Sequence, residues 1–142
     1  MNARQTIVIA DDHPLMRKGL RQVVETLPDT EIFEAENGEE ALRIIREQRP
    51  SLALLDIEMP KLSGFDVAKR VNDEGLPVSV IFLTMYKEEQ VFNKAMDTGV
   101  KGYVLKENAI SEVHQCIAAV SAGKYFLSPS ISDFLIRLNS RL

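Results

Sequence analysis

Cysteine is almost missing from this sequence. Cys116 stands alone among 142 residues, so no internal disulfide can staple the fold, and its place near the apolar stripe of a helix marks it as a plain buried thiol. Long apolar runs are missing as well. None approaches the roughly 18 residues of a membrane span, and the stretch MNARQTIVIADD lacks a long apolar signal core before a small-residue cleavage site. A cytoplasmic protein without a membrane partner is expected. Positive charge is not in excess either, since 17 Lys and Arg against 21 Asp and Glu leave a net charge of -4, with no basic run to track a phosphate backbone. That argues against direct nucleic-acid binding by this chain. The mix of 45% hydrophobic and 27% charged residues is not that of a disordered chain, so the sequence is expected to fold.

Five short apolar runs recur: Ile7 to Ala10, Ile32 to Ala35, Leu52 to Leu55, Val78 to Leu83 and Tyr103 to Leu105. Most are continuous, as strands buried on both faces of a parallel sheet require. Helical stripes lie between them, with Leu20, Val23, Val24 and Leu27 on one face, then Ala41, Leu42, Ile44 and Ile45, then Val91, Phe92, Ala95 and Met96, then Ile110, Val113, Ile117 and Val120. Pro14 suits a first helical turn, Asn37 with Glu40 suits a cap, and Gly99 and Gly102 bracket a turn. Alternating strands and helices with right-handed crossovers predict a doubly wound α/β fold of flavodoxin-like order, 2-1-3-4-5, with helices on both faces. Residues 1–127 fit one domain. The tail SPSISDFLIRLNSRL, residues 128–142, predicts a further helix, because Ile131, Phe134, Leu135, Leu138 and Leu142 share one face.

In a parallel sheet all strand C-termini meet at one edge, where ligands bind. There the first strand delivers Asp11 and Asp12, the third Asp56, the fourth Thr84 and the fifth Lys106. One carboxylate pair at 4 Å costs on the order of 4 kcal/mol at an effective dielectric near 20, and a divalent cation removes that cost. Oxygen ligands without cysteine or a histidine pair favour Mg²⁺. A hydroxyl and an ammonium beside a metal-bound carboxylate suit a phosphoryl group, with Asp56 as the nucleophile. An isolated Asp pair after a strand can also be a solvated helix start. Polar residues at the ends of four strands argue against that simpler account. His13 reads as the start of a helix rather than a ligand, and His114 as surface.

These residues, in this order, resemble the receiver domain of two-component response regulators over residues 5 to about 127. The Asp pair, Asp56 with the MPKLSG that follows, Thr84, and Lys106 preceded by an aromatic carry the resemblance. DDHPLMRKGL, LTMY and GVKGYVLKENA look like the subfamily with a LuxR-type helix-turn-helix output. The resemblance implies that Asp56 accepts phosphate from a sensor histidine kinase. It implies direct Mg²⁺ binding by Asp12, mainly water-mediated binding by Asp11, and a backbone carbonyl ligand from Glu58. Thr84 and Lys106 would contact phosphoryl oxygens, and Tyr103 would be the switch aromatic. The added charge of about -1.5 to -2 would bias a surface made of the fourth helix, the fifth strand and the fifth helix. Glu107 follows Lys106 where many receivers have proline, so the usual cis peptide would cost about 3 to 4 kcal/mol. Transcription regulation would need a DNA-binding domain outside these residues, and a homodimer is expected through the C-terminal helix or the fourth and fifth helices. The alternatives are a Mg²⁺-dependent aspartyl-phosphate phosphatase, whose acids would follow the first strand as D-x-D, and a receiver acting only by protein binding.

Overall fold

The sequence LALLD has no alternation of polar and apolar residues, and all five of its residues are buried, as the central strand of a sheet covered on both faces requires. The computed structural model describes residues 5–132. Five βα units run in order: β1 Gln5–Ala10 and α1 Pro14–Val24, β2 Thr30–Ala35 and α2 Gly38–Gln48, β3 Leu52–Asp56 and α3 Gly64–Glu74, β4 Ser79–Thr84 and α4 Glu89–Asp97, and β5 Gly102–Leu105 and α5 Ala109–Ser121. A 3-10 turn, Lys106–Asn108, joins β5 to α5, and β6 Phe126–Leu127 follows. All strand pairs are parallel, in the order β2-β1-β3-β4-β5-β6.

The expected order is therefore present, with a sixth strand where five were anticipated. β6 pairs Gly102 with Phe126 and Tyr103 with Leu127. Two residues are too short to leave a periodic signal, and only the edge of β5 makes them a strand.

Strand alternation divides the core in two. Ile7, Ile9, Leu54, Ile81 and Val104 face Leu20, Val24, Val113 and Ile117 from α1 and α5. Val8, Leu55, Phe82, Tyr103 and Leu105 belong to the other layer with residues of α2, α3 and α4. Cys116 is buried in the first layer, and its thiol is pushed up to about 12 by desolvation, with Glu112 adding to the effect. Ile110, placed on the α5 stripe by its spacing, is instead 48% exposed.

Local chemistry fixes the helix starts. Asn37 accepts from the Glu40 amide, and Ser63 with Asp66 forms a reciprocal capping box on α3. Pro14 occupies the first turn of α1, whose N-cap is His13. Every described peptide bond is trans, so the Lys106–Glu107 bond does not take the cis form. At the other end, residues 129–132 are helical and Ile131 is fully buried in the layer that includes Tyr103. Phe134, Leu135, Leu138 and Leu142, on which the rest of the tail stripe depends, lie outside the described residues.

Gly64 is a tight joint at the end of β3. A Cβ there would meet the Asp56 carbonyl oxygen at 2.7 Å and Ile57 Cα at 2.9 Å, both backbone atoms that cannot swing away. Gly64→Ala is therefore expected to destabilise the domain by about 1 to 3 kcal/mol in urea unfolding. Gly19→Ala, whose Cβ would meet only the flexible end of Ile110 at 3.1 Å, should be near neutral.

Candidate functional site

Hydrogen bonding carries the strand ladder just past the end of β1 and sets the loop that follows. The Asp11 amide donates to the Ala35 carbonyl at 3.1 Å, and Arg17 donates to the Asp11 carbonyl at 2.6 Å while its Nε holds Glu34 at 3.0 Å. Asp11 is thereby fully buried, and the side chain of Asp12 is one-third exposed. Asp56 closes β3, Thr84 closes β4, and Lys106 opens the turn after β5. All three are buried at the same sheet edge.

Lys106 reaches across this edge. Its Nζ donates to Asp56 Oδ2 at 2.8 Å and stands 3.1 Å from Asp11 Oδ2. The Glu58 amide donates to Asp56 Oδ1 at 3.2 Å, so Asp56 is held from two directions. Burial nonetheless dominates and pushes Asp56 up to about 6, with the bond to Lys106 opposing and the Asp11 charge reinforcing the shift. Burial alone would lower Lys106. Its bond to Asp56 and the charges of Asp56 and Asp11 outweigh that, and the ammonium is held above its usual range.

Thr84 and Tyr103 connect this edge to α4. Thr84 Oγ1 accepts from the Tyr86 amide at 2.9 Å, and the Tyr103 hydroxyl donates to the Tyr86 carbonyl at 3.0 Å. The Tyr103 ring is fully buried edge-on against Phe92, with centroids 5.4 Å apart. Desolvation pushes its hydroxyl up to about 12, although a bond to Thr84 acts the other way.

Sequence reasoning gave His13 only the helix start. It is the N-cap of α1, yet its ring also enters the cluster, with Nδ1 3.0 Å from Asp11 Oδ1, 3.4 Å from Asp12 Oδ1 and 3.1 Å from Lys106 Nζ. The signal was present in the chain, because a residue following two clustered acids cannot be far from them. What a linear reading could not supply was the ring's direction.

A divalent cation suits these groups. Single ligand atoms from Asp11, Asp12, His13 and Asp56 lie within 4.8 Å of one another. Asp11 Oδ2 is also the one buried side-chain oxygen among the described residues without a hydrogen bond, for Lys106 is close but poorly aligned. Carboxylate oxygens around a buried, unsatisfied acceptor form the hard donor set that Mg²⁺ takes. Beside the cluster, a cavity of about 540 Å³ is bordered by Met16, Thr84, Met85, Leu105 and Lys106.

Fold and edge chemistry together define a flavodoxin-like α/β module with its reactive groups at the strand carboxyl ends. The profile of the response regulator receiver domain matches residues 7–118, and the chain belongs to that family, whose members are signalling domains rather than metabolic enzymes. It is 35% identical over 136 residues to the virulence-factor transcription regulator BvgA of Bordetella pertussis, covering 95% of this chain and 65% of that protein. To the transcriptional regulatory protein DegU of Brevibacillus brevis it is 30% identical, covering 96% of this chain and 58% of that one. The chain thus spans less than two thirds of the length of these relatives. Among solved structures, a LuxR-family response regulator from Aurantimonas superposes with a TM-score of 0.89 at 28% identity, covering 97% of this chain and 99% of that one. No described helix is long and apolar enough to cross a membrane.

The burial of Asp56 makes its charge costly in the metal-free protein. A rise from 3.8 to about 6 corresponds to roughly 3 kcal/mol for holding the charge at neutral pH. Asp56→Asn removes that cost and some of the compensation that Lys106 provides, so a net gain of about 1 to 2 kcal/mol is expected in urea unfolding at pH 7 with chelator. Because the folded carboxyl binds its proton more tightly than the unfolded one, the wild type recovers this stability as pH falls through about 6. The advantage of the variant should therefore shrink below pH 6 and vanish near pH 4.

Proposed function

We propose that this chain is a phospho-acceptor switch in which Asp56 takes a phosphoryl group from a phosphohistidine of a sensor histidine kinase. The observation that carries this reading is the buried Asp56 carboxylate, held by Lys106 Nζ at 2.8 Å where β1, β3, β4 and β5 end together. An Asp56 carboxylate oxygen attacks phosphorus, the bond from phosphorus to the donor imidazole nitrogen breaks, and the imidazole leaves with its electron pair and takes up a proton. Bound Mg²⁺ would neutralise phosphoryl charge. Asp12 and Asp56 would hold it directly, Asp11 mainly through water, and the Glu58 carbonyl would complete the protein ligands. Lys106, freed from Asp56, turns its ammonium to a phosphoryl oxygen, and the Thr84 hydroxyl donates to another.

The donor side has a physical basis. Leu15 is 85% exposed, Met85 67% and Ile110 48%, and Met85 borders the cavity next to Lys106. Apolar side chains exposed around a buried nucleophile suit the docking of a partner helix. Phosphorylation draws Thr84 toward the phosphoryl group, and Tyr103 relays the movement to α4 through the Tyr86 carbonyl. The output is transcription regulation by a DNA-binding domain beyond this stretch, with residues 128–142 as its linker. Ile131 seats the first turn of that linker on its own domain. Pairing of two chains would use the tail or the surface of α4 and α5.

Acetyl phosphate with Mg²⁺ is expected to label the wild type with one phosphate per chain and to leave Asp56→Asn unlabelled. Label at the wild-type level on that variant would overturn the assignment, and rapid turnover without accumulation would favour a phosphatase. Mg²⁺ titration is expected to show a loss of roughly tenfold or more in affinity for Asp12→Ala and a smaller loss for Asp11→Ala. Equal and negligible losses would remove the metal site.

A further inference from the structure

A serine before a proline at a helix start, as in FLSPS, ordinarily caps the helix through its side chain. Ser128 does not. The Ile131 amide takes the Ser128 carbonyl at 2.8 Å, and the hydroxyl points the other way, back into the domain. There Ser128 Oγ accepts from the Leu105 amide at 3.0 Å and donates to Glu112 Oε1 on α5 at 2.5 Å. The Ser128 amide donates to the Tyr103 carbonyl at 3.0 Å. The residue is fully buried.

One residue therefore extends the β5 ladder past β6, first with its backbone and then with its side chain. Its two bonds to β5 flank Val104. They grip the carbonyl of Tyr103 and the amide of Leu105, the residue from which the chain turns into Lys106. With its hydroxyl spent on a carboxylate and an amide, Ser128 has no spare donor, so β5 cannot shift at this end without breaking a buried bond. Three residues further on, Ile131 is fully buried in the same apolar layer as Tyr103 and Phe92.

We propose that Ser128 is a positioning residue for phosphoryl transfer, tying the end of β5, and with it Lys106, to the chain that leaves the domain. This rests on Asp56 as the acceptor. The coupling runs both ways: the clamp holds Lys106 over the carboxylate, and movement of β5 when the acceptor is occupied is felt at residues 128–132.

The test uses the full chain as wild type, Ser128→Ala and Val24→Ala. Val24 is fully buried on α1 in the opposite layer, and serves as a control for lost stability alone. Ser128→Ala is expected to slow phosphorylation at saturating acetyl phosphate by roughly tenfold or more, as small misplacements of reacting groups do, while Mg²⁺ affinity stays within about twofold. Beryllofluoride with Mg²⁺ should change amide exchange at residues 128–132 in the wild type and in Val24→Ala but not in Ser128→Ala. A folded Ser128→Ala protein with wild-type rate and exchange response would overturn the proposal. So would an equal slowing in Val24→Ala. Failure of the acceptor reading is separate, since it would appear as an unlabelled wild type or a labelled Asp56→Asn.

Discussion

The ammonium of Lys106 among buried carboxylates is the constraint on which the rest of this molecule turns. Two buried acids, Asp11 and Asp56, share one buried cation, which is hydrogen-bonded to Asp56 at 2.8 Å and only ion-paired with Asp11 at 3.1 Å. A buried pair of this kind gives little net stability, because desolvation offsets most of the attraction. Here the imbalance goes further, since the acids outnumber the cation and Asp56 is driven up to about 6. The metal-free edge carries an excess of negative charge, a cost that a divalent cation would relieve. Charge added at Asp56 would compete for Lys106, its present partner.

The scaffold around this edge is rigid where the charges need it. Asp11 is fixed through the Ala35 carbonyl and Arg17, Asp56 through the Glu58 amide, and α3 packs so closely on the end of β3 that only glycine fits at position 64. These contacts hold carboxylates in place against their mutual repulsion, which flexible loops could not do. The bonds from Thr84 and Tyr103 to Tyr86 are different in kind. They tie the edge to the start of α4 through single hydrogen bonds on a loop, and a single bond on a loop can exchange partners. Rigid acids beside a two-bond tie at Tyr86 are what the proposed switch would need.

The strand end of β5 belongs to both regimes. Its inner side carries Tyr103 against Phe92, its end carries Lys106, and its outer edge is covered by β6 and Ser128. Covering an edge strand removes a site of unwanted pairing. It also makes the segment after α5 part of the same sheet that carries Asp56.

The sequence by itself determined the architecture and the chemistry of the edge. Five apolar runs too continuous for one-sided strands, with helical stripes between them, leave few arrangements other than a doubly wound parallel sheet. Such a sheet brings the strand-final residues Asp11, Asp56, Thr84 and Lys106 together whatever the loops do. Only the tertiary structure decided what depends on direction rather than order. The ring of His13 turns into the acidic cluster, Ile110 turns out of its stripe to solvent, and Ser128 turns its hydroxyl away from its own helix. Two residues, Phe126 and Leu127, became a strand because the edge of β5 was open to them. Periodicity records which face of an element a residue occupies. It holds no record of rotamers or of an edge two residues long, because those are set by neighbours distant in the chain.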